Sequence, residues 1–304
     1  MGRLKPDSAS DTALLIARSV LLAADVAGHA PLLAVGEVAA VRGFLGERAE
    51  RGWFAFAARR GWSRRWLMAA ERVLLRGIFV HYLARKRWIE GMARRALGED
   101  GAKQVVVIGA GYDALGWRLC DEDAALRCFE LDHPATQRAK RAAPGSAECF
   151  HLLPCDLAVE LPEAALLASC ARVAGSRGRV IFSFMEKEAD GTLGFRGESS
   201  WIGRWLRWRQ EPFRWGCERA VLDGFLEPLG LRVCALADHE ILRREILNPR
   251  GAGALPLARG ECLCVCESMS PSVKPSPLPF PVAVQATRGR SIQPQDHADE
   301  REIC

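Results

Sequence analysis

Long apolar runs are missing from this chain of 304 residues. No uninterrupted apolar stretch reaches the roughly 18 residues that a membrane-spanning helix needs. The start, MGRLKPDSASD, has polar and acidic residues where a signal peptide would have its apolar core. We therefore expect no transmembrane segment and a cytoplasmic protein.

Cysteine pairs of the CxxC type are also missing, although the chain has 11 cysteines. A metal cluster needs ligand spacings that turn back on themselves, so no metal site is predicted. Cys262, Cys264 and Cys266 alternate in ECLCVCE, which places them on one face of a strand. We expect them to be buried thiols that stay reduced inside the cell.

Acidic residues are scarce in one segment of the chain only. The net charge is +5, yet the segment from Arg42 to Arg95 holds 14 Lys or Arg and four Asp or Glu. The same segment contains Trp53, Trp62, Trp66 and Trp88. Such a basic, aromatic region could contact a membrane surface or a nucleic acid. We favour a helical cap whose arginines are solvated and whose tryptophans pack on the sheet, with no specific nucleic acid partner. Weak contact with lipid or RNA stays open.

The most informative motif is QVVVIGAGYD at Gln104–Asp113. Val105–Ile108 is typical of a strand buried on both faces. Gly109 and Gly111 then allow a sharp turn and a close approach of backbone to a ligand. Tyr112–Cys120 is expected to continue as a helix whose N-terminus faces that ligand.

Acidic residues end the next two predicted strands. Asp132 follows Cys128–Leu131, where a carboxylate can accept two hydrogen bonds from a ribose diol. A third strand within Glu148–Pro154 leads to Asp156. A glycine pair alone often serves packing, but a turn and two acids at successive strand ends indicate a nucleotide-type ligand. Glycines alone leave a hydride-transfer enzyme open, because the dinucleotide pattern tolerates Ala114 at its third position.

Taken together, four segments resemble one known family. They are HYLARKRWIE at His81–Glu90, QVVVIGAGYDALGWRL at Gln104–Leu119, FELDHPATQRAK at Phe129–Lys140 and CDL at Cys155–Leu157. The chain is similar to the leucine carboxyl methyltransferase family, including its bacterial polyketide O-methyltransferase-like members. The resemblance covers roughly Asp11 to Glu267.

This resemblance implies an α/β protein: a class I methyltransferase, Rossmann-like doubly wound sheet of seven strands with an N-terminal helical cap. It also implies S-adenosyl-L-methionine as the cofactor. Arg85 would bind the methionine carboxylate, and Asp132 would hold the ribose. The remaining expected cofactor contacts are Gly109, Ala110 and Gly111 in the loop, and Asp156 and Leu157 beside the adenine.

One departure from the family follows Leu157. Family members carry a further strand there, ending in a glutamate–glycine pair, with a short YL-like segment after it. This chain runs from Ala158 directly to Leu161, Pro162 and Glu163, which already resemble the family's next helix. Either Arg179–Met185 moves inward to fill the slot, or one central strand is missing and its neighbours need new backbone partners.

The chain divides by composition and pattern. We expect a flexible N-terminus at 1–10, a helical cap at 11–100, an S-adenosylmethionine-binding domain at 101–268 and a disordered proline-rich tail at 269–304. Further predicted helices are Asp11–Ala24, several between Gly36 and Gly98 broken at their glycines, Pro162–Ala174, one carrying Trp201, Trp205 and Trp208, and Ala220–Leu229. Predicted strands are Arg179–Met185, Leu231–Leu236 and Glu261–Glu267.

These features favour an S-adenosylmethionine-dependent methyltransferase that acts on a carboxylate or hydroxyl of a small molecule. No catalytic residue is nominated, because His133 is expected to be structural and neither His81 nor His239 is a stronger base. The alternative is a catalytically impaired, methyltransferase-like protein that binds partners or anionic surfaces through its basic helical region. A nicotinamide-dependent oxidoreductase fits the glycine loop but not Arg85 or the Asp156-Leu157 pair.

Overall fold

A computed structural model describes residues 11–49, 60–143, 148–155, 162–188, 190–196 and 215–269, which all fall in one compact unit. Within these ranges no helix is long and apolar enough to cross a membrane. Asp156, Leu157, the predicted tryptophan helix at 201–208 and residues 270–304 lie outside the described residues.

Helices and strands alternate along the central part of the chain. The α-helices are α1 (Asp11–Ala23), α2 (Glu37–Leu45), α3 (Gly61–Leu74), α4 (Ile78–Gly98), α5 (Leu115–Glu122), α6 (Pro134–Arg141), α7 (Glu163–Ala174), α8 (Leu222–Leu226) and α9 (His239–Leu242). The strands are β1 (Gln104–Ile108), β2 (Arg127–Asp132), β3 (Phe150–Pro154), β4 (Arg179–Glu186), β5 (Gly216–Cys217), β6 (Leu231–Ala237) and β7 (Glu261–Ser268). Short 3-10 turns occupy Ala30–Leu32, Gly46–Ala49, Arg219–Val221, Glu227–Leu229 and Asn248–Arg250, and a π-helical turn occupies Arg243–Leu247.

The first sheet has the order β1-β2-β3, and its strands are all parallel. Helices α5 and α6 provide the crossovers between them, as in a Rossmann-like fold. On one face, Leu119 and Cys120 of α5 pack against Cys128 and Phe150. The α/β, Rossmann-like fold expected from the sequence is confirmed.

The second sheet has the order β5-β4-β7-β6. Strand β7 is antiparallel to both of its neighbours, β4 and β6. Its side chains are buried on both faces: Cys262, Cys264 and Cys266 contribute to one apolar cluster and Leu263 and Val265 to another. The prediction that the three cysteines are buried thiols on one strand face is confirmed, and no metal-binding group occurs among the described residues.

The single sheet of seven strands expected from the family is wrong for the described residues, because they form two separate sheets. In a doubly wound sheet the fourth strand lies beside the first. Here β4, the predicted strand Arg179–Met185, pairs with β5 and β7. Within the part of the chain that the structure describes, β1 has no strand partner on the side away from β2. Among the described residues the sheet is therefore incomplete at this edge, as the second of the two sequence alternatives expects.

Strand β1 is also more exposed than predicted. Val106 and Ile108 remain 41% and 40% exposed, and Leu153 on the same face of β3 is 44% exposed. The prediction of a strand buried on both faces is wrong, because β1 lies at the edge of its sheet and only its Val105 face packs against α5.

Two local predictions also differ from the structure. The predicted helix Tyr112–Cys120 begins only at Leu115, after a turn in which the Asp113 carboxylate accepts a hydrogen bond from the Leu115 backbone N–H at 2.7 Å. Glycines do not break every helix of the cap, since Gly43 lies inside α2 and Gly91 inside α4. A single glycine costs a helix only about 1 kcal/mol, which tertiary packing can offset.

The exposed strand β1 can be tested with matched valine truncations. Val106→Ala should lower the free energy of unfolding by less than about 1 kcal/mol, because the side chain is already partly in water. Val265→Ala on β7, where the side chain is 6% exposed, should cost about 2 kcal/mol or more. Urea denaturation of both variants measures the difference. An equal cost at the two positions would mean that another strand covers β1.

Candidate cofactor site

The glycine turn follows β1 at the carboxyl end of the first sheet. Gly109 has a φ of 69° and Gly111 a φ of 54°, a left-handed backbone that favours glycine at both positions. The Gly109 N–H donates to the Leu131 carbonyl at 2.8 Å, which ties the turn to the end of β2. A Cβ on Gly111 would lie 3.2 Å from Cβ of Ala13, so α1 packs directly on the turn. Gly109 is exposed, whereas Ala110 and Gly111 are buried.

Asp132 fastens this turn from the end of β2. One of its carboxylate oxygens accepts the Gly111 N–H, and the other accepts the His133 N–H at 2.5 Å. Its own carbonyl accepts the Cys155 N–H at 2.8 Å, at the end of β3. These contacts of Asp132 link the carboxyl ends of all three strands. The residue is 8% exposed. Each carboxylate oxygen can accept more than one hydrogen bond, so acceptor capacity remains for a ligand hydroxyl.

Asp113 closes the turn and connects it to α4. Lys86 Nζ lies 3.1 Å from the Asp113 carboxylate and 2.5 Å from that of Glu37 on α2. Burial raises the pKa of Asp113, but the Lys86 ammonium, the Leu115 backbone N–H and the Lys140 charge together outweigh burial and lower this pKa to about 2. The same two carboxylates raise the pKa of Lys86, against its burial. The carboxylate and the ammonium therefore stay charged across the physiological range.

Arg85 stands next to Lys86 and reaches toward the second sheet. Its Nη1 lies 2.8 Å from Oε1 of Glu261, the first residue of β7, and its guanidinium carbon lies 5.6 Å from the centre of the Tyr82 ring. Burial alone would raise the pKa of Glu261, but Arg85 and the hydrogen-bonded His81 hold this pKa well below its ordinary value. Arg85 Nε is buried and has no hydrogen-bond partner in the structure. One ion pair thus leaves the guanidinium with donors for a second acceptor.

Comparison with known proteins gives a family match to part of this chain. The family model for leucine carboxyl methyltransferases matches residues 39–170, which include Arg85, the glycine turn and Asp132. This part of the chain is therefore similar to leucine carboxyl methyltransferases.

A curated relative from Bacillus subtilis (strain 168), named "Putative S-adenosyl-L-methionine-dependent methyltransferase YktD", is 49% identical over 41 residues. This match covers 14% of the chain and 14% of the relative's length.

Solved structures give more extended but more distant likenesses. A DUF574 family protein from Streptomyces avermitilis MA-4680 is 15% identical with a TM-score of 0.47, covering 75% of this chain and 95% of that one. Human N-acetylserotonin methyltransferase, solved in complex with SAM, is 14% identical with a TM-score of 0.38, covering 83% of this chain and 70% of that one.

The structure brings together most of the residues that the leucine carboxyl methyltransferase resemblance implied. Asp132 contacts Gly111 directly, and Arg85 is joined to the turn through its neighbour Lys86 and Asp113. Asp156 and Leu157 lie outside the described residues, so their expected place beside the adenine stays a prediction.

Two histidines near the site have structural roles. The His133 Nδ1 accepts the Ala135 N–H at 3.2 Å and caps α6, which begins at Pro134, as expected from the sequence. His81 is fully buried, and its Nε2 lies 2.6 Å from Oε2 of Glu261. Neither ring is positioned as an accessible base.

Sequence reasoning missed three acids of the site. Glu37, Asp113 and Glu261 each hold a cation of α4, but they lie on three different elements. The only signal for Glu261 was a charged residue directly before the apolar run CLCVC. The partner of such a residue is set by tertiary packing, so the pairing could not be derived from spacing.

The low pKa of Asp113 predicts an acid-dependent loss of stability. The pKa in the folded state, about 2, lies below the ordinary value of 3.8, so the charged carboxylate stabilises the fold above pH 4. This contribution is lost as the pH falls towards 2. The difference in unfolding free energy between the wild type and Asp113→Asn should shrink by roughly 2 kcal/mol from pH 5 to pH 2. Urea denaturation at several pH values measures it, and a difference that stays constant would contradict the role of Lys86.

Proposed function

We propose that this protein is an S-adenosylmethionine-dependent methyltransferase whose cofactor binds at the glycine turn. One observation carries the proposal: α4 presents Arg85, whose partly exposed side chain pairs with Glu261 through Nη1, while its neighbour Lys86 is anchored to Asp113 at the end of that turn. The Lys86–Asp113 ion pair thus keeps the Arg85 cation and the glycine turn in a fixed relation. Such a pair of groups suits a ligand with a carboxylate at one end and a nucleoside at the other. The match of residues 39–170 to the leucine carboxyl methyltransferase model supports the same ligand.

The residues around the turn fit this cofactor. Gly109 is exposed and lacks a side chain, so a ligand can approach its backbone closely. Ala110 and Gly111 would complete the loop, and the free acceptor sites of Asp132 would bind the ribose hydroxyls. Arg85 would bind the methionine carboxylate by a charge-assisted hydrogen bond, which is stronger than a neutral one.

The bound cofactor supplies an electrophilic methyl group on its sulfonium. The chain then has to hold an acceptor oxygen in line and exclude water. A carboxylate acceptor needs no general base, whereas a hydroxyl benefits from one. Since His81 and His133 are engaged with Glu261 and Ala135, we propose a carboxylate on a small molecule as the acceptor.

Two ligands separate the role of Arg85 from that of the turn. Arg85→Gln should weaken S-adenosylmethionine binding about 10- to 100-fold, because the variant loses a charge-assisted contact to the carboxylate. Binding of methylthioadenosine, which lacks the amino-acid moiety, should stay unchanged. Asp132→Ala should weaken both ligands, since the ribose is common to them. Isothermal titration calorimetry measures all of these affinities.

A matched control is Arg94→Gln, two turns further along α4, where the arginine pairs with Glu90 and Glu122. This variant should bind both ligands like the wild type. If the wild type binds neither ligand, or if Arg85→Gln weakens both equally, the proposed cofactor orientation is wrong.

The acceptor class can be tested through the product. A methyl ester releases methanol in mild base, whereas a methyl ether does not. With methyl-labelled S-adenosylmethionine and a panel of small carboxylic acids and phenols, we expect base-labile volatile label from acids only. Base-stable label on a phenol would instead identify a hydroxyl acceptor.

The open edge of β1 favours a second candidate, a methyltransferase-like protein that binds the cofactor without turnover. A fourth strand at this edge would end beside the glycine turn, and the described residues provide none there. Cofactor affinity together with no label transfer to any acceptor, under the conditions above, would support this candidate.

A further inference from the structure

Helix α3 carries an outward-facing apolar stripe. Trp62, Trp66 and Val73 are 61%, 72% and 79% exposed. Their spacing of four and seven residues places them on one face of the helix, and the exposed Ala69 lies between them. Single exposed apolar residues are ordinary, but an aligned stripe with two tryptophans indicates an interaction surface.

This stripe contradicts part of the sequence-based interpretation. The tryptophans of the basic segment were expected to pack on the sheet. Trp88 does so, being 2% exposed with its indole N–H 3.3 Å from Glu245, but Trp62 and Trp66 do not. Their side chains point away from the protein because the opposite face of α3, with Ser63 and Glu71, is the buried one.

Arginines flank the stripe. Arg65 and Arg72 are seven residues apart, so they lie along the same side of α3, and Arg76 follows the end of the helix. All three are exposed. The orientation of the helix is fixed by Glu71, whose carboxylate accepts the buried Gly77 N–H at 2.6 Å. The stripe and its cationic flank are therefore presented together on one surface.

We propose that this surface of α3 docks onto an anionic lipid membrane. Indole rings favour the boundary between headgroups and acyl chains, and arginines attract anionic headgroups. A helix of 14 residues is too short to span a bilayer but suits a position in the interface plane.

Lipid explains this surface better than other partners. RNA binding would use the tryptophans for stacking on bases, but it gives no role to Val73, the most exposed apolar side chain of the stripe. A second copy of the chain would bring arginine against arginine if the two stripes paired. An anionic bilayer accommodates the aliphatic side chains, the indoles and the charges at once.

Vesicle sedimentation with the full chain tests this docking. We expect the wild type to bind vesicles of phosphatidylserine and phosphatidylcholine, and less at high salt. Trp62→Ala with Trp66→Ala should lower the partition coefficient by about tenfold or more, through loss of apolar contact. Arg65→Gln with Arg72→Gln should lower the partition coefficient about tenfold, and only on vesicles that contain phosphatidylserine.

Control variants remove equivalent side chains from other surfaces. Val173→Ala with Val221→Ala removes apolar groups that are 70% and 56% exposed, and Arg172→Gln with Arg244→Gln removes two exposed charges. Both pairs should bind vesicles like the wild type. Circular dichroism melting confirms that each variant folds.

Three results would overturn the proposal. One is no binding of the wild type to anionic vesicles at low salt. Another is unchanged vesicle binding by the double tryptophan variant. The last is a dimer, or retention of the protein on RNA, that this variant abolishes while vesicle binding persists.

Discussion

Helix α4 carries three consecutive cations whose partners lie in three separate parts of the fold. Arg85 pairs with Glu261 on the second sheet, Lys86 with Asp113 at the glycine turn of the first sheet, and Arg87 with Glu37 on α2. One turn later, Glu90 of the same helix accepts two hydrogen bonds from Arg118 on α5, at 2.9 and 2.7 Å. Removing one partner of a buried pair typically costs about 3 to 5 kcal/mol. This helix therefore fixes the position of one sheet relative to the other, because no described strand joins them.

No described strand pairs with β1 on the side away from β2, which explains why so much depends on side chains. In an uninterrupted doubly wound sheet, the fourth strand would form backbone hydrogen bonds with β1. These bonds would fix the position of the glycine turn relative to β4. Here the turn is held by the Asp132 carboxylate, by the contact with Ala13 of α1 and, through Asp113, by Lys86 of α4. The apolar cluster between the sheets also contains Tyr112 and Ala114 from the turn together with Leu263 and Val265 from β7. Packing and ion pairs therefore hold the turn in place where the described residues form no backbone hydrogen bonds along this edge of β1.

The sequence predicts the local parts of this site well, because their signals are local. A β-branched run, two glycines and an acid one helix later are sufficient for β1, the turn and Asp132. The boundaries of β4 and β7 follow equally well from short apolar runs.

The pairing of β4 could not be derived in this way, since an apolar run does not specify its neighbour. Val106 is exposed because no described strand lies beside β1, and the apolar run of β1 itself carries no signal for that. The partners of Lys86 and Arg85 are 27 and 176 residues away along the chain, so only the fold identifies them.

The ion pair of Arg85 with Glu261 determines what kind of ligand contact this arginine can make. Its positive charge is already compensated by a carboxylate 2.8 Å away, so a second carboxylate would meet a nearly neutral pair rather than a free cation. Attraction would then depend on the direction of the remaining N–H groups, which the planar guanidinium fixes once Nη1 is bound. The pair also keeps a long side chain from sampling other rotamers, which lowers the entropy lost when a ligand binds. Glu261 therefore reduces the electrostatic pull of Arg85 while it fixes the orientation of the guanidinium. Because His81 holds the other oxygen of Glu261, this orientation is set inside the core, away from the ligand.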